Sequence, residues 1–216
     1  MPTDHANDHN HDHPHAETGH EGGPGYYDLM TRAVTELLVE RGLFEAGEIR
    51  RQIEVLDSRT PALGAKVVAH AWTDPDFRAR LLQDGRKGCE ELGISFYDDT
   101  QLIVLENTDT VHNLIVCTLC SCYPRPVLGL PPDWYKLKPY RSRAISEPRA
   151  VLTEFGTAIP DDVEIVVSDS TAIVRYLVLP RRPHGSESLS EGELAELVTR
   201  DTMIGVAVIP DLERRP

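Results

Sequence analysis

Three thiols, Cys117, Cys120 and Cys122, sit within six residues of one another in the run Cys117-Thr118-Leu119-Cys120-Ser121-Cys122. A four-thiolate zinc site uses two well-separated cysteine pairs. The sequence offers no second pair, because Cys89, the only other cysteine, falls in a predicted helix. The loop must therefore complete a coordination sphere with donors other than sulfur, and its own backbone can supply them. With the amide protons of Ser121 and Cys122 removed, the Cys122 nitrogen and sulfur close a five-membered chelate ring. The Ser121 nitrogen and the Cys120 sulfur close a six-membered one, and the two nitrogens chelate with each other. Cys117 then caps the square from below and leaves a sixth position open. Zinc rarely displaces peptide protons, whereas a strong-field trivalent ion with octahedral preference suits this donor set. Cobalt or iron is expected.

The elements around the loop follow from hydrophobic spacing. Met30, Ala33, Val34, Leu37 and Leu38 recur at helical intervals before Gly42, predicting a helix over Tyr27–Arg41. Further helices are expected near Glu45–Asp57, Ala62–Ala71 and Asp76–Leu92, the last entered through an Asp74 cap and Pro75. Leu102–Leu105 and Leu114–Val116 read as strands, so the metal loop should leave a strand end. Pro124, Pro126, Pro131, Pro132 and Pro139 predict a stiff extended connection without regular helix. Beyond it we expect a helix at Glu147–Phe155 ending at Gly156, and strands at Val163–Val167 and Ile173–Leu179. A Ser190/Glu193 capping box should start a helix running to Val198, with a last strand at Ile204–Ile209.

Several stretches together resemble the α subunit of nitrile hydratase, over Tyr26 to Val208. The first is Val116-Cys117-Thr118-Leu119-Cys120-Ser121-Cys122-Tyr123-Pro124, followed by Pro126-Val127-Leu128-Gly129-Leu130-Pro131-Pro132 and Trp134-Tyr135-Lys136. The others are Glu106-Asn107-Thr108, Val111-His112-Asn113, Arg175-Tyr176-Leu177-Val178 and Arg200-Asp201-Thr202-Met203-Ile204-Gly205-Val206. The related thiocyanate hydrolase shares the cysteine loop. Its metal-bearing subunit tends to carry arginine where most nitrile hydratases have tryptophan, and the residue here is Arg125.

The resemblance implies an α+β fold, an N-terminal helical arm followed by a layered α-β-β-α domain carrying the metal loop. On this sequence that gives a His-rich tail at 1–25, a helical arm at 26–98 wrapped around a β-type subunit, and a metal-binding catalytic domain at 99–216. It implies a low-spin Co(III) centre, with Fe(III) as the alternative. The metal ligands are Cys117, Cys120, Ser121 and Cys122. Cys120 is oxidised to a sulfinate and Cys122 to a sulfenate. Thr118, where iron members usually carry Ser, favours cobalt. The expected reaction is hydration of a nitrile to its amide. Cys122 is the candidate nucleophile, directly or through a water that it activates, and Ser121 assists. A metallochaperone or activator protein is expected as a further partner. Subunits of thiocyanate hydrolase, a metal carrier without turnover, and a Cys117/Cys120 redox dithiol are the competing readings.

Around this centre the roles are open between chemistry and packing. Tyr123 lines the pocket or packs beside the proline run. Arg125 screens the negative cage, selects a small anion, or lies at a surface or interface. Glu106 supports a ligand through a hydrogen bond or is an exposed carboxylate. Three thiolates and two amide anions around a trivalent ion leave roughly two negative charges, which need cationic neighbours. His112, five residues before Cys117, is read as a hydrogen-bonded structural residue, because the loop already supplies five donors.

Composition narrows the partners. A net charge of −13 disfavours the phosphate backbone of nucleic acid. No apolar run reaches the about 18 residues of a membrane span, and the polar start lacks a secretory pattern, so a cytoplasmic location is expected. His5, His9, His11, His13, His15 and His20 lie in a segment with almost nothing apolar to bury, predicted to be disordered, either metal-collecting or merely solvated.

Overall fold

The computed structural model describes residues 25–120 and 122–212. The His-rich tail, apart from Gly25, and Ser121 lie outside them, so the readings made for those residues stay as expectations. Two compact units divide at Arg50/Arg51.

The first unit contains α1 (Tyr26–Glu40). The Asp28 carboxylate accepts the Gly25 N–H at 3.0 Å to start it, and Gly42, at φ +68°, ends it in the left-handed region that suits glycine. Tyr26, Tyr27, Leu29, Met30, Val34 and Leu37 are all exposed. Helix α2 (Glu48–Asp57) spans the boundary between the units.

The second unit runs through α3 (Pro61–Thr73), α4 (Pro75–Gln83), α5 (Gly85–Glu91), β1 (Gln101–Glu106), β2 (Val111–Val116), α6 (Arg125–Leu128), α7 (Asp133–Lys136), α8 (Lys138–Ser146), α9 (Pro148–Glu154), β3 (Glu164–Asp169), β4 (Val174–Leu179), α10 (Glu191–Leu197) and α11 (Arg200–Ile204). Asp74 caps α4 by accepting the Phe77 N–H at 2.9 Å, with Pro75 first in the helix, as its sequence predicts. The single helix expected over Asp76–Leu92 is two, because Asp84 takes an extended conformation and its side chain caps α5 at the Lys87 N–H. A Cβ on Gly85 would meet the Leu102 carbonyl at 2.6 Å, so only glycine lets α5 begin this close to β1.

The strands form two parallel pairs. β1 lies beside β4, with Gln101 opposite Val174 and Glu106 opposite Leu179. β2 lies beside β3, with Val111 opposite Glu164 and Val116 opposite Asp169. Leu114, Ile115, Val116, Leu177, Val178 and Leu179 are buried with Val67 and Val68 of α3, Val127 and Leu128 of α6 and Met203 and Ile204 of α11. The Ser190/Glu193 capping box is present, with reciprocal bonds of 3.3 and 2.8 Å.

Two further sequence expectations fail for identifiable reasons. The proline-rich connection is not extended. Pro126 and Pro139 sit in the first turns of α6 and α8, where no backbone N–H is needed, and Pro132 is the residue just before α7. The prolines therefore start helices instead of preventing them. Ile204–Ile209 is not a strand. The N–H groups of Gly205, Val206 and Ala207 all turn back to the Asp201 carbonyl, at 3.0, 3.0 and 3.2 Å, which uses the donors a ladder would require. An apolar run without clear alternation fits either element, and here it closes a helix.

Candidate metal centre

Burial and pairing carry β2 straight to the site. Its last five residues are buried, and Cys117, the next residue, is fully buried as well. Cys120 is exposed and Cys122 half-buried, so the loop rises from the core to the surface across six residues. Cys117 Sγ stands 3.5 Å from Cys120 Sγ, and Cys120 Sγ stands 3.2 Å from Cys122 Sγ. All three sulfurs lie within 4.8 Å of one another.

That spacing tests whether one ion fits. Two sulfurs about 2.3 Å from a shared ion are about 3.3 Å apart at a right angle and about 3.8 Å apart at the tetrahedral angle. The 3.2 Å separation of Cys120 and Cys122 matches right-angled neighbours, and the 3.5 Å separation of Cys117 and Cys120 falls between the two angles, so one ion can reach all three sulfurs. The sulfur set fits the group expected from the sequence.

Side chains from three other elements fix the loop backbone. Asp169, which ends β3, accepts from the Thr118 N–H at 2.9 Å and from the Thr118 hydroxyl at 2.5 Å. Arg141 of α8 donates from Nη1 to the Cys120 carbonyl at 2.8 Å. Tyr135 of α7, fully buried, donates to the Cys122 carbonyl at 3.0 Å. One residue before the loop's parent strand ends, Tyr140 donates to the Ile115 carbonyl at 2.6 Å. An aromatic cluster stiffens this support, with Tyr123 edge-on to Tyr135 at 5.1 Å and Trp134 edge-on to Tyr140 at 4.9 Å.

Above the loop is an open cavity of about 310 Å³, lined in part by Cys120, Cys122, Tyr123, Arg125 and Arg175. Phe96, Tyr97, Asp98 and Thr100, from the segment before β1, close its other side. Burial first, and then the hydrogen-bonded Cys120 thiol, push the Cys122 thiol up to about 12, against an opposing pull from Arg175. Thiols lose their protons to bind a metal, so an ion here must displace the Cys122 proton against that burial.

The sequence-derived residues separate into two groups. Cys117, Cys120, Cys122, Tyr123 and Arg125 are brought together, with Arg125 exposed at the first position of α6 and Tyr123 buried. Ser121 lies outside the described residues. Glu106 is not at this site. It ends β1 just before the turn into β2, whereas Cys117 leaves the far end of β2, about 17 Å of strand away. Its carboxylate pairs with Arg78 at 2.6 Å. His112 donates to the Gly205 carbonyl at 2.7 Å and coordinates nothing among the described residues. Sequence reasoning missed Asp169, Arg141 and Asp98 as neighbours of the loop. Asp169 had one readable signal, an acidic residue at the end of an apolar strand, but only the register of β2 with β3 places it beside Thr118.

The comparisons agree with this geometry. Residues 25–207 match the family described as nitrile hydratase, alpha chain. The low-molecular weight cobalt-containing nitrile hydratase subunit alpha of Rhodococcus rhodochrous is 52% identical over 178 residues, 82% of this chain and 86% of that protein. The thiocyanate hydrolase subunit gamma of Thiobacillus thioparus is 40% identical over 84% of this chain and 79% of its own length. Among solved structures, a double mutant of the Fe-type nitrile hydratase from Comamonas testosteroni Ni1 superposes with a TM-score of 0.78 at 40% identity, covering 89% of this chain and 97% of that one. With the family match spanning most of its length and the cysteine cluster formed, this chain belongs to the nitrile hydratase α-chain family.

Proposed function

We propose that this chain is the metal-bearing α subunit of a cobalt nitrile hydratase, converting a nitrile to its amide in complex with a β-type subunit. One observation carries the reading: three sulfurs lie within 4.8 Å of one another at the end of a buried strand, and two of their residues, Cys120 and Cys122, line an open cavity. Cys117, Cys120 and Cys122 would hold Co(III) through sulfur, and Ser121 and Cys122 through their backbone nitrogens. When bound, the ion supplies Lewis acidity toward the nitrile nitrogen. Fe(III) is the competing ion, and an active preparation containing iron and no cobalt would refute the cobalt assignment.

The residues of the chain do the rest. Cys122, as a sulfenate, is assigned the attack on the nitrile carbon, and Cys120 is assigned the sulfinate state. Both face solvent enough to be oxidised, whereas Cys117 is buried. Ser121 is assigned a hydroxyl hydrogen bond to the sulfur oxygens. Arg175, Arg125 and Tyr123 line the cavity, and the two arginines place positive charge on its wall. Cys122→Ala in a metal-loaded complex is expected to abolish turnover, and appreciable hydration by that variant would refute its role.

The layered α-β-β-α arrangement is supported by the two parallel strand pairs, with α4, α5 and α11 packed on the β1/β4 pair and α8 and α9 on the β2/β3 pair. A β-type subunit is supported by apolar side chains with no cover: Leu119 is 83% exposed beside the cysteines, and the apolar residues of α1 are exposed too. An activator protein that delivers metal belongs to the same reading. Among the described residues no helix is long and apolar enough to cross a membrane.

One observation favours a second reading. The exposed Arg125 beside Cys122 suits a small anion, as thiocyanate is. Assaying the assembled complex separates the two: amide from nitriles supports nitrile hydratase, and carbonyl sulfide with ammonia from thiocyanate supports the alternative.

A further inference from the structure

Of the three side chains that hold the loop backbone, Arg141 alone brings a positive charge. Among the described residues no carboxylate pairs with it, and its Nε is buried without a hydrogen-bond partner. Two residues along the same helix, Arg143 is engaged by both Glu147 and Glu154, at 2.7 and 2.6 Å. The charge of Arg141 is therefore directed at the Cys120 carbonyl and little else.

That carbonyl belongs to the peptide that ends in the Ser121 nitrogen. Amide resonance shares electron density between nitrogen and oxygen. When such a nitrogen serves as a metal donor, its peptide oxygen becomes more negative, and a guanidinium already bonded to that oxygen binds it more strongly. The same charge stands behind three sulfurs crowded to 3.2 and 3.5 Å, which come together as anions only with cationic help.

We propose that Arg141 is a positioning residue for metal capture: it holds the Cys120 carbonyl and supplies this chain's own positive charge behind the donor loop. The inference rests on the cobalt reading above. It differs from the cavity arginines, which face the substrate side. Arg175 already spends Nη1 on the Thr171 and Val174 carbonyls.

The test compares wild type, Arg141→Gln and Arg141→Lys, each produced in full length with its partner subunit. Cobalt per chain is measured by elemental analysis, retention by competition with a chelator, and the donor set by sulfur-to-cobalt absorption. Thermal unfolding of the metal-free chains is followed in parallel. Arg141→Gln is expected to hold cobalt about tenfold less tightly with a shifted absorption band. Arg141→Lys should recover much of the loss, and the metal-free unfolding temperatures should stay close to wild type. Unchanged retention and absorption in Arg141→Gln would overturn the inference. So would losses in Gln and Lys variants that are equal and matched by lower metal-free stability, since that pattern marks a plain brace. A wild-type complex that takes up no cobalt would overturn the cobalt reading first, and the inference with it.

Discussion

His112 donates from Nε2 to the Gly205 carbonyl at 2.7 Å, and this contact fixes the protonation of the ring. A carbonyl only accepts, so Nε2 carries the hydrogen. Nδ1, 3.3 Å from the Asn107 amide nitrogen, is then the acceptor. Asn107 in turn accepts the Asn113 N–H at 2.7 Å through its side-chain oxygen. The end of β1, the start of β2 and the end of α11 are tied through one neutral imidazole.

Burial holds His112 below the ordinary histidine range, with the Gly205 hydrogen bond opposing it. The unfolded chain therefore binds this proton more readily than the folded one. The group's contribution to stability is complete above about pH 6.5 and falls away as pH drops through that value toward the lower folded one. Urea unfolding of the metal-free chain between pH 7.5 and 5 should show this loss, and His112→Gln should flatten it. Parallel curves for both proteins would rule out the assignment.

Gly205→Ala tests the same junction from the other side. Gly205 lies at φ +92°, and an added Cβ would fall 2.0 Å from the Asn113 carbonyl oxygen, a backbone atom that cannot swing aside. The expected loss is about 3 kcal/mol or more, read from denaturant midpoints. A variant within experimental error of wild type would show that the close approach does not exist.

Cys89 should be silent to thiol reagents. It is fully buried, and burial pushes its thiol up to about 12. In the metal-free folded chain, alkylation at pH 8 followed by peptide mapping should label Cys120 first and leave Cys89 unmodified until denaturant is added. Early labelling of Cys89 would mean that α5 does not pack as described.

Thr118 and Asp169 should be energetically coupled. Thr118→Val removes a donor and Asp169→Ala removes both acceptors, so the double variant should lose less stability than the two single losses added together. The expected coupling is about 1 kcal/mol, measured by a double-mutant cycle on the metal-free chain. Strict additivity would show that the carboxylate does not clasp the loop.

Much of the centre was legible in the sequence because its donors are contiguous. Cys117, Cys120 and Cys122 need no knowledge of the fold to be seen as one site. Helix starts were legible where caps are local, as at Asp74 and at Ser190 with Glu193. What escaped depends on distant pairing. Asp169 reaches Thr118 only through the register of β2 with β3, and Arg141 reaches Cys120 only through the packing of α8. The proline run misled because the same ring that breaks a helix interior is well placed at its start, and the residues alone do not say which role applies. Glu106 drew attention through its neighbours in sequence, but the length of β2 carries it to the other end of the strands.

The clasp between Thr118 and Asp169 joins residues 51 apart in the chain. At the usual pace of translation, about 5–20 residues per second, the cysteines leave the ribosome several seconds before the strand that braces them exists. During that interval the thiols belong to an unfinished coil that any thiol-seeking ion or oxidant can reach. The braced form of the loop therefore exists only once β3 has been made, and before that the three thiols lack the Thr118–Asp169 contact that holds them.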